Sequence, residues 1–131
     1  MLTILRNILL LIILISSFLS QEHIWPIKAK KEITAVFAEE RPGRYHTGVD
    51  IRTFGIIGYK LVSIDDGYIS RIRTSSKGYG KTIYIKLNDG HTAVYAHLDR
   101  FTDELDNFVY ALQQNNGKYT IDHRFTENQH P

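Results

Sequence analysis

The chain has 131 residues, which suffices for one domain and not two. Its 43% hydrophobic and 23% charged residues exclude disorder as the default state. A net charge of +2, without a clustered basic stripe, excludes a nucleic-acid footprint, and the absence of cysteine excludes disulfides, thiolate zinc sites, thiol nucleophiles and an acylated anchor.

Residues 1–20 form a unit of their own. Arg6 precedes the apolar run Ile8 to Ile15, followed by Ser16, Ser17, Phe18, Leu19 and Ser20. One positive charge, a short apolar core and small residues after it are the layout of an export signal, or of an N-terminal anchor if it is kept. The apolar run is short for a membrane span, so any membrane association is expected only through this segment. Either outcome predicts an exported chain: periplasmic, cell-envelope or extracellular.

Trp25-Pro26 opens residues 21–131. Pro26 cannot donate to a ladder and so does not belong in a central strand. Ile33 to Phe37 is predicted as a strand. Glu39 to Tyr45 contains Pro42-Gly43 and is predicted as a loop. Val49 to Arg52 is a short strand candidate. Lys60 to Ile64 is predicted as a strand ending in Asp65-Asp66-Gly67, and Tyr68 to Arg73 as one ending in Lys77-Gly78-Tyr79-Gly80. Thr82 to Leu87 alternates, with Ile83, Ile85 and Leu87 on one face. Asn88-Asp89-Gly90 then turns into His91 to Leu98, a strong hairpin signal. Short strands at this spacing predict an antiparallel, mainly β domain, sandwich-like or barrel-like. After Arg100 the period changes. Leu105, Phe108, Val109 and Leu112 follow helical spacing, so one helix is predicted near residues 103–114, capped by Thr102 or Asp103 and ended by Gly117. From Lys118 to Pro131 the chain is polar and weakly patterned. A β domain closing on one helix and a polar tail is expected to leave strand edges unpaired.

Histidine arrangement carries the chemistry. In His46-Thr47-Gly48-Val49-Asp50 an imidazole and a carboxylate lie four apart, and both are good zinc ligands. In a straight strand that spacing is about 13 Å, so convergence needs a bent backbone, for which Gly48 is available. A loop histidine beside a surface aspartate is the plainer reading of spacing alone. His97 ends a predicted strand, and alternation puts His91, Tyr95 and His97 on one face. His91 is about 20 Å from His97 along that strand and is expected to be exposed at the turn. No His-Glu-x-x-His, phosphate-cradling loop or Gly-x-Ser-x-Gly elbow occurs.

Four segments taken in order carry a resemblance. Arg44-Tyr45-His46-Thr47-Gly48-Val49-Asp50-Ile51, Asp66-Gly67-Tyr68, Gly78-Tyr79-Gly80 and Tyr95-Ala96-His97-Leu98 resemble the successive motifs of the lysostaphin/LytM-type zinc peptidases. The resemblance spans Trp25 to Arg100. It implies an antiparallel fold of the duplicated hybrid motif type with a groove for an extended peptide. It implies Zn2+ held by His46 and Asp50 with a third histidine, and His97 as a catalytic histidine assisting the attacking water. The implied substrate is a stem or cross-bridge peptide of bacterial peptidoglycan.

One departure stands out. The family's third ligand comes from a later His-x-His segment, and none occurs here. His123 and His130 remain, in surroundings unlike the family's. Two expectations follow: a metallopeptidase domain incomplete at its C-terminus, with residues 103–131 as an insertion, or a non-catalytic relative that binds cell-wall peptide or activates a partner hydrolase.

Overall fold

The computed structural model describes residues 6–7 and 23–129. Apart from Arg6 and Asn7, the predicted signal or anchor segment lies outside the described residues, as does His130. Among the described residues, no helix is long and apolar enough to cross a membrane.

The central element is a four-stranded antiparallel sheet. It contains β5 (Gly67–Thr74), β6 (Lys81–Leu87), β7 (Thr92–Leu98) and β8 (Ile121–Arg124), in the order β7-β6-β5-β8. Ahead of it lie two small ribbons. In one, β1 (Ile33–Ala35) pairs with β4 (Asp50–Ile51); in the other, β2 (Glu40–Arg41) pairs with β3 (Arg44–Tyr45). The mainly β, antiparallel character expected from the alternating runs is what the structure has. The sheet is open, so the barrel-like closure is not reached among the described residues.

Register explains the core. Ile72 faces Ile83 across β5 and β6, Ile69 faces Ile85, and Ile72 faces His123 across β5 and β8. Residues directly opposite share a face, so these side chains form one apolar surface. Helix α1 (Asp103–Asn116) lies on it, burying Leu105 and Val109 against Ile72, Phe101 and Phe125. Thr102 caps the helix by accepting from the Leu105 amide, and Asp103, Glu104 and Asp106 place negative charge at its positive end. Gly117 ends it in the left-handed conformation, φ 61°, as predicted.

Three segments differ from expectation. Lys60 to Ile64 runs beside residues 24–27, through an Ile27–Leu61 bridge and hydrogen bonds from the Val62 amide to the Pro26 carbonyl and from the Ile24 amide to the Ile64 carbonyl. It is not a regular strand, because Pro26 has no N–H with which to continue the ladder. Glu39 to Tyr45 is a two-residue-per-arm hairpin rather than a loop, turned at Pro42-Gly43 with Gly43 at φ 74°. The polar stretch after Lys118 contains β8, which pairs along β5 and covers that edge. Its inward residues are Ile121, His123 and Phe125. The histidine hides the alternation, because its ring packs edge-on at 5.1 Å from Phe108 and 4.7 Å from Phe125 and so serves as an aromatic core residue.

Thr74 locks the helix and β8 to the sheet. Its side chain is almost wholly buried. The hydroxyl donates to the Tyr119 carbonyl at 2.6 Å and accepts from the Ile121 amide at 3.1 Å. Thr74→Val preserves shape but strands the Ile121 amide and leaves the Tyr119 carbonyl to Gln113 Nε2 alone, and should cost about 1–3 kcal/mol. Chemical denaturation measures this; an unchanged midpoint would show that water replaces the hydroxyl.

Candidate functional site

The ribbon of β1 and β4 builds the site. Ala35 in β1 sits opposite Asp50 in β4, with a register irregularity between Ile33 and Ala35. The next residue of that arm, Val36, turns its carbonyl toward His46 and takes the imidazole Nδ1 at 3.0 Å. The His46 backbone is held from the other side: its amide donates to Glu39 O at 2.8 Å, and its carbonyl accepts from the Ala38 amide at 2.8 Å. Ala38 makes that turn at φ 64°. A single short strand therefore positions both predicted ligands.

The convergence is achieved without a bent strand. Residues 46–49 form no strand between β3 and β4, and the chain folds back so that His46 Nε2 lies 3.1 Å from Asp50 Oδ1. The chain bends at Gly48, as expected, without entering the left-handed region; a Cβ there would lie 3.9 Å from His46 Nε2, an ordinary contact. His46 is 13% exposed and Asp50 46%, so the pair opens to solvent on the carboxylate side.

The chemistry of this pair is constrained. Both ring nitrogens of His46 face oxygen acceptors, Val36 O and Asp50 Oδ1. A neutral imidazole carries one N–H. With that N–H on Nδ1, the Nε2 contact needs a cation between nitrogen and carboxylate, either a proton or a metal ion. Donor atoms of two ligands on a tetrahedral zinc, each about 2.0–2.2 Å from it, lie about 3.3–3.6 Å apart, slightly wider than the 3.1 Å found. The Val36 contact is the kind of outer hydrogen bond that fixes a ligating imidazole as its Nδ1–H tautomer. His46 and Asp50 thus fit two positions of a zinc site.

Asp50 is poised to stay ionised. The Arg41 guanidinium donates to Oδ2 at 2.9 Å and, with the nearby His46, holds the carboxyl below its ordinary range despite partial burial. A depressed value means that the contribution of this carboxylate to stability is present above the usual carboxylate range. It is lost as pH falls through the lowered value. Zinc binding, which requires the carboxylate and a deprotonated Nε2, must likewise weaken toward acid pH.

His97 is reached through Tyr79. The Tyr79 and Thr47 hydroxyls share a hydrogen bond of 2.6 Å, beside His46. The Tyr79 carbonyl accepts the His97 amide at 2.9 Å, and the two rings meet edge-on with centroids 6.2 Å apart. His97 does not alternate with Tyr95. Lys81 pairs with Leu98 and Ile83 with Tyr95, leaving one extra residue in β7, and His97 at φ 57° lies within that bulge. Bulges re-aim side chains next to active sites, and a non-glycine residue in this conformation is held against its own preference. The one-face reading of His91, Tyr95 and His97 is thus corrected by a single inserted residue. His91 is exposed beside Asp89, as expected.

Among the described residues, no group of three or more histidine, aspartate or glutamate side chains converges to hold a metal. His123 lies in the aromatic cluster under α1 and does not join His46 and Asp50. Sequence reasoning missed Arg41 and the linking role of Tyr79. Arg41 was obscured by the loop reading of its hairpin. In the sequence Tyr79 reads only as part of a turn, between Gly78 at φ 66° and Gly80 at φ 62°.

Tyr79→Phe keeps the ring and removes the hydroxyl bond to Thr47. It should lower stability by about 0.5–1.5 kcal/mol in denaturant melts. An unchanged melt would mean the two segments are not joined in solution.

The sequence profile of peptidase family M23 matches residues 44–114. The match takes in His46, Asp50, Tyr79 and His97 together with nearly all of α1. No curated protein and no solved structure matches the chain. The matched stretch is more than half of the chain and agrees with the lysostaphin/LytM resemblance of its motifs; the chain belongs to peptidase family M23.

Proposed function

We propose that this chain carries the front half of a zinc-dependent endopeptidase site acting on the peptides of bacterial peptidoglycan. The observation that carries the reading is the pair His46 Nε2 and Asp50 Oδ1, 3.1 Å apart, with the far imidazole nitrogen on Val36 O. With the N–H on Nδ1, Nε2 and Oδ1 at that distance are two acceptors that can share a cation, and their chemistry suits zinc.

When bound, zinc supplies a Lewis acid for the scissile carbonyl and lowers the pKa of water. His46 and Asp50 would hold it. His97 is exposed at the end of β7 and is set beside the ligand loop through Tyr79 and Thr47. In that place it can move a proton between the attacking water and the leaving amine. Thr47 and Tyr79 keep the ligand loop and the β7 bulge in fixed relation. The peptidoglycan substrate is proposed from the family resemblance. It agrees with the export expected from the N-terminal segment.

A catalytic zinc normally takes three protein ligands, and residues 23–129 bring two together. The reading therefore takes the third donor from outside these residues. The same two-donor count favours a second reading, a relative that binds cell-wall peptide without cutting it. The two separate on new amino termini released from purified peptidoglycan. The peptidase reading expects release from protein holding a third histidine donor, and loss of release in His97→Ala. The binding reading expects co-sedimentation with peptidoglycan and no new amino termini.

Two outcomes are expected of the 131-residue chain itself. It should bind zinc weakly through two donors, and His46→Ala should abolish that binding while the protein stays folded. Stoichiometric zinc retained in His46→Ala would overturn the ligand assignment. The chain alone should not hydrolyse peptidoglycan, and robust hydrolysis would show that two protein donors suffice.

A further inference from the structure

The hairpin of β2 and β3 joins the ligand loop through Glu39 and His46. It is two residues per arm, turned at Pro42-Gly43, and much of its surface is exposed. So short a ribbon cannot be stable alone. It is held because the His46 amide closes onto Glu39 O and the His46 carbonyl onto the Ala38 amide. The hairpin therefore begins and ends on the ligand histidine, and it carries one side chain back to the other ligand. Arg41 Nη2 meets Asp50 Oδ2 at 2.9 Å, while its Nε lies 3.9 Å from Glu39 Oε1.

This contact decides which oxygen of Asp50 is free. The carboxylate is 46% exposed, and without Arg41 it could turn about its terminal torsion or present both oxygens to one ion. Arg41 occupies Oδ2, which leaves Oδ1 facing His46 Nε2. The guanidinium fork is suited to this task because it is planar, permanently charged and directional.

We propose that Arg41 is a positioning residue for the metal site: it fixes Asp50 as a ligand through Oδ1 alone and sets that oxygen at the bite distance from His46. The proposal rests on the zinc reading above. It opposes two effects. Removing a cation beside a zinc ion favours binding through simple electrostatics, whereas releasing the carboxylate disfavours it through lost organisation. Orientation dominates, because the exposed charge is screened by water while a freed carboxylate loses its geometry outright.

The test is zinc titration of the chain against a chromophoric chelator, alongside thermal melts of the metal-free protein. Arg41→Met keeps the aliphatic stem and removes the fork. It is expected to weaken zinc binding by about 10-fold or more, as loss of outer-shell partners does, with the metal-free melt little changed. Arg41→Lys keeps a donor and should recover part of that loss, which neither a purely electrostatic nor a purely structural role predicts. If Arg41→Met does not fold, Arg41→Gln carries the same test through its single remaining donor, with a smaller loss expected. Equal or tighter zinc binding in the folded Met or Gln variant overturns the proposal and leaves the zinc reading intact. Failure of the unsubstituted chain to bind zinc overturns both.

Discussion

The imidazole of His46 is the constraint from which the rest of the site follows. Its Nδ1 is tied to the Val36 carbonyl and its Nε2 is turned to Asp50 Oδ1, so a ring with one proton meets two acceptors. Everything around it preserves that arrangement. Ala35 pairs with Asp50, Val36 supplies the carbonyl, and the backbone of residues 38 and 39 clasps His46 above and below. An ordinary surface ion pair needs none of this support. A metal ligand does, because a change of a few tenths of an ångström in the bite alters the site's affinity.

The second half of the site depends on a different kind of constraint. His97 is placed by one extra residue in β7 and a left-handed backbone, and not by the alternation of its strand. The Tyr79 carbonyl pins its amide, while the Tyr79 hydroxyl reaches Thr47. The Gly-Tyr-Gly turn thus links the β7 bulge to the loop that bears His46. Its two glycines take the positive φ that lets the chain reverse around the tyrosine. Beyond them, α1 packs on the sheet through Leu105 and Val109, and β8 extends the sheet beside β5.

Much of this was legible in the residues, and the failures have physical causes. Alternating isoleucines marked β6, the Asp-Gly turn marked the β6–β7 hairpin, and Thr102 and Gly117 marked the ends of α1, because each rests on local chemistry. His46 and Asp50 were legible as ligand types, but their approach to 3.1 Å comes from pairing with β1, a contact that local spacing does not contain. β8 was hidden because His123 occupies an apolar position as an aromatic ring. The β7 bulge was hidden because Tyr-Ala-His-Leu alternates acceptably on paper. Arg41 was hidden because proline and glycine beside it pointed to a loop.

The central claim is that His46 keeps its proton on Nδ1 and offers Nε2 to a cation shared with Asp50. Long-range proton–nitrogen correlation spectra of the His46 ring, with zinc added at a pH where the imidazole is neutral, test it most directly. The account predicts a protonated Nδ1 and an Nε2 resonance that moves to the metal-bound range. A ring that keeps its proton on Nε2 and donates it to Asp50, unmoved by zinc, would contradict it and leave this pair as a simple hydrogen bond.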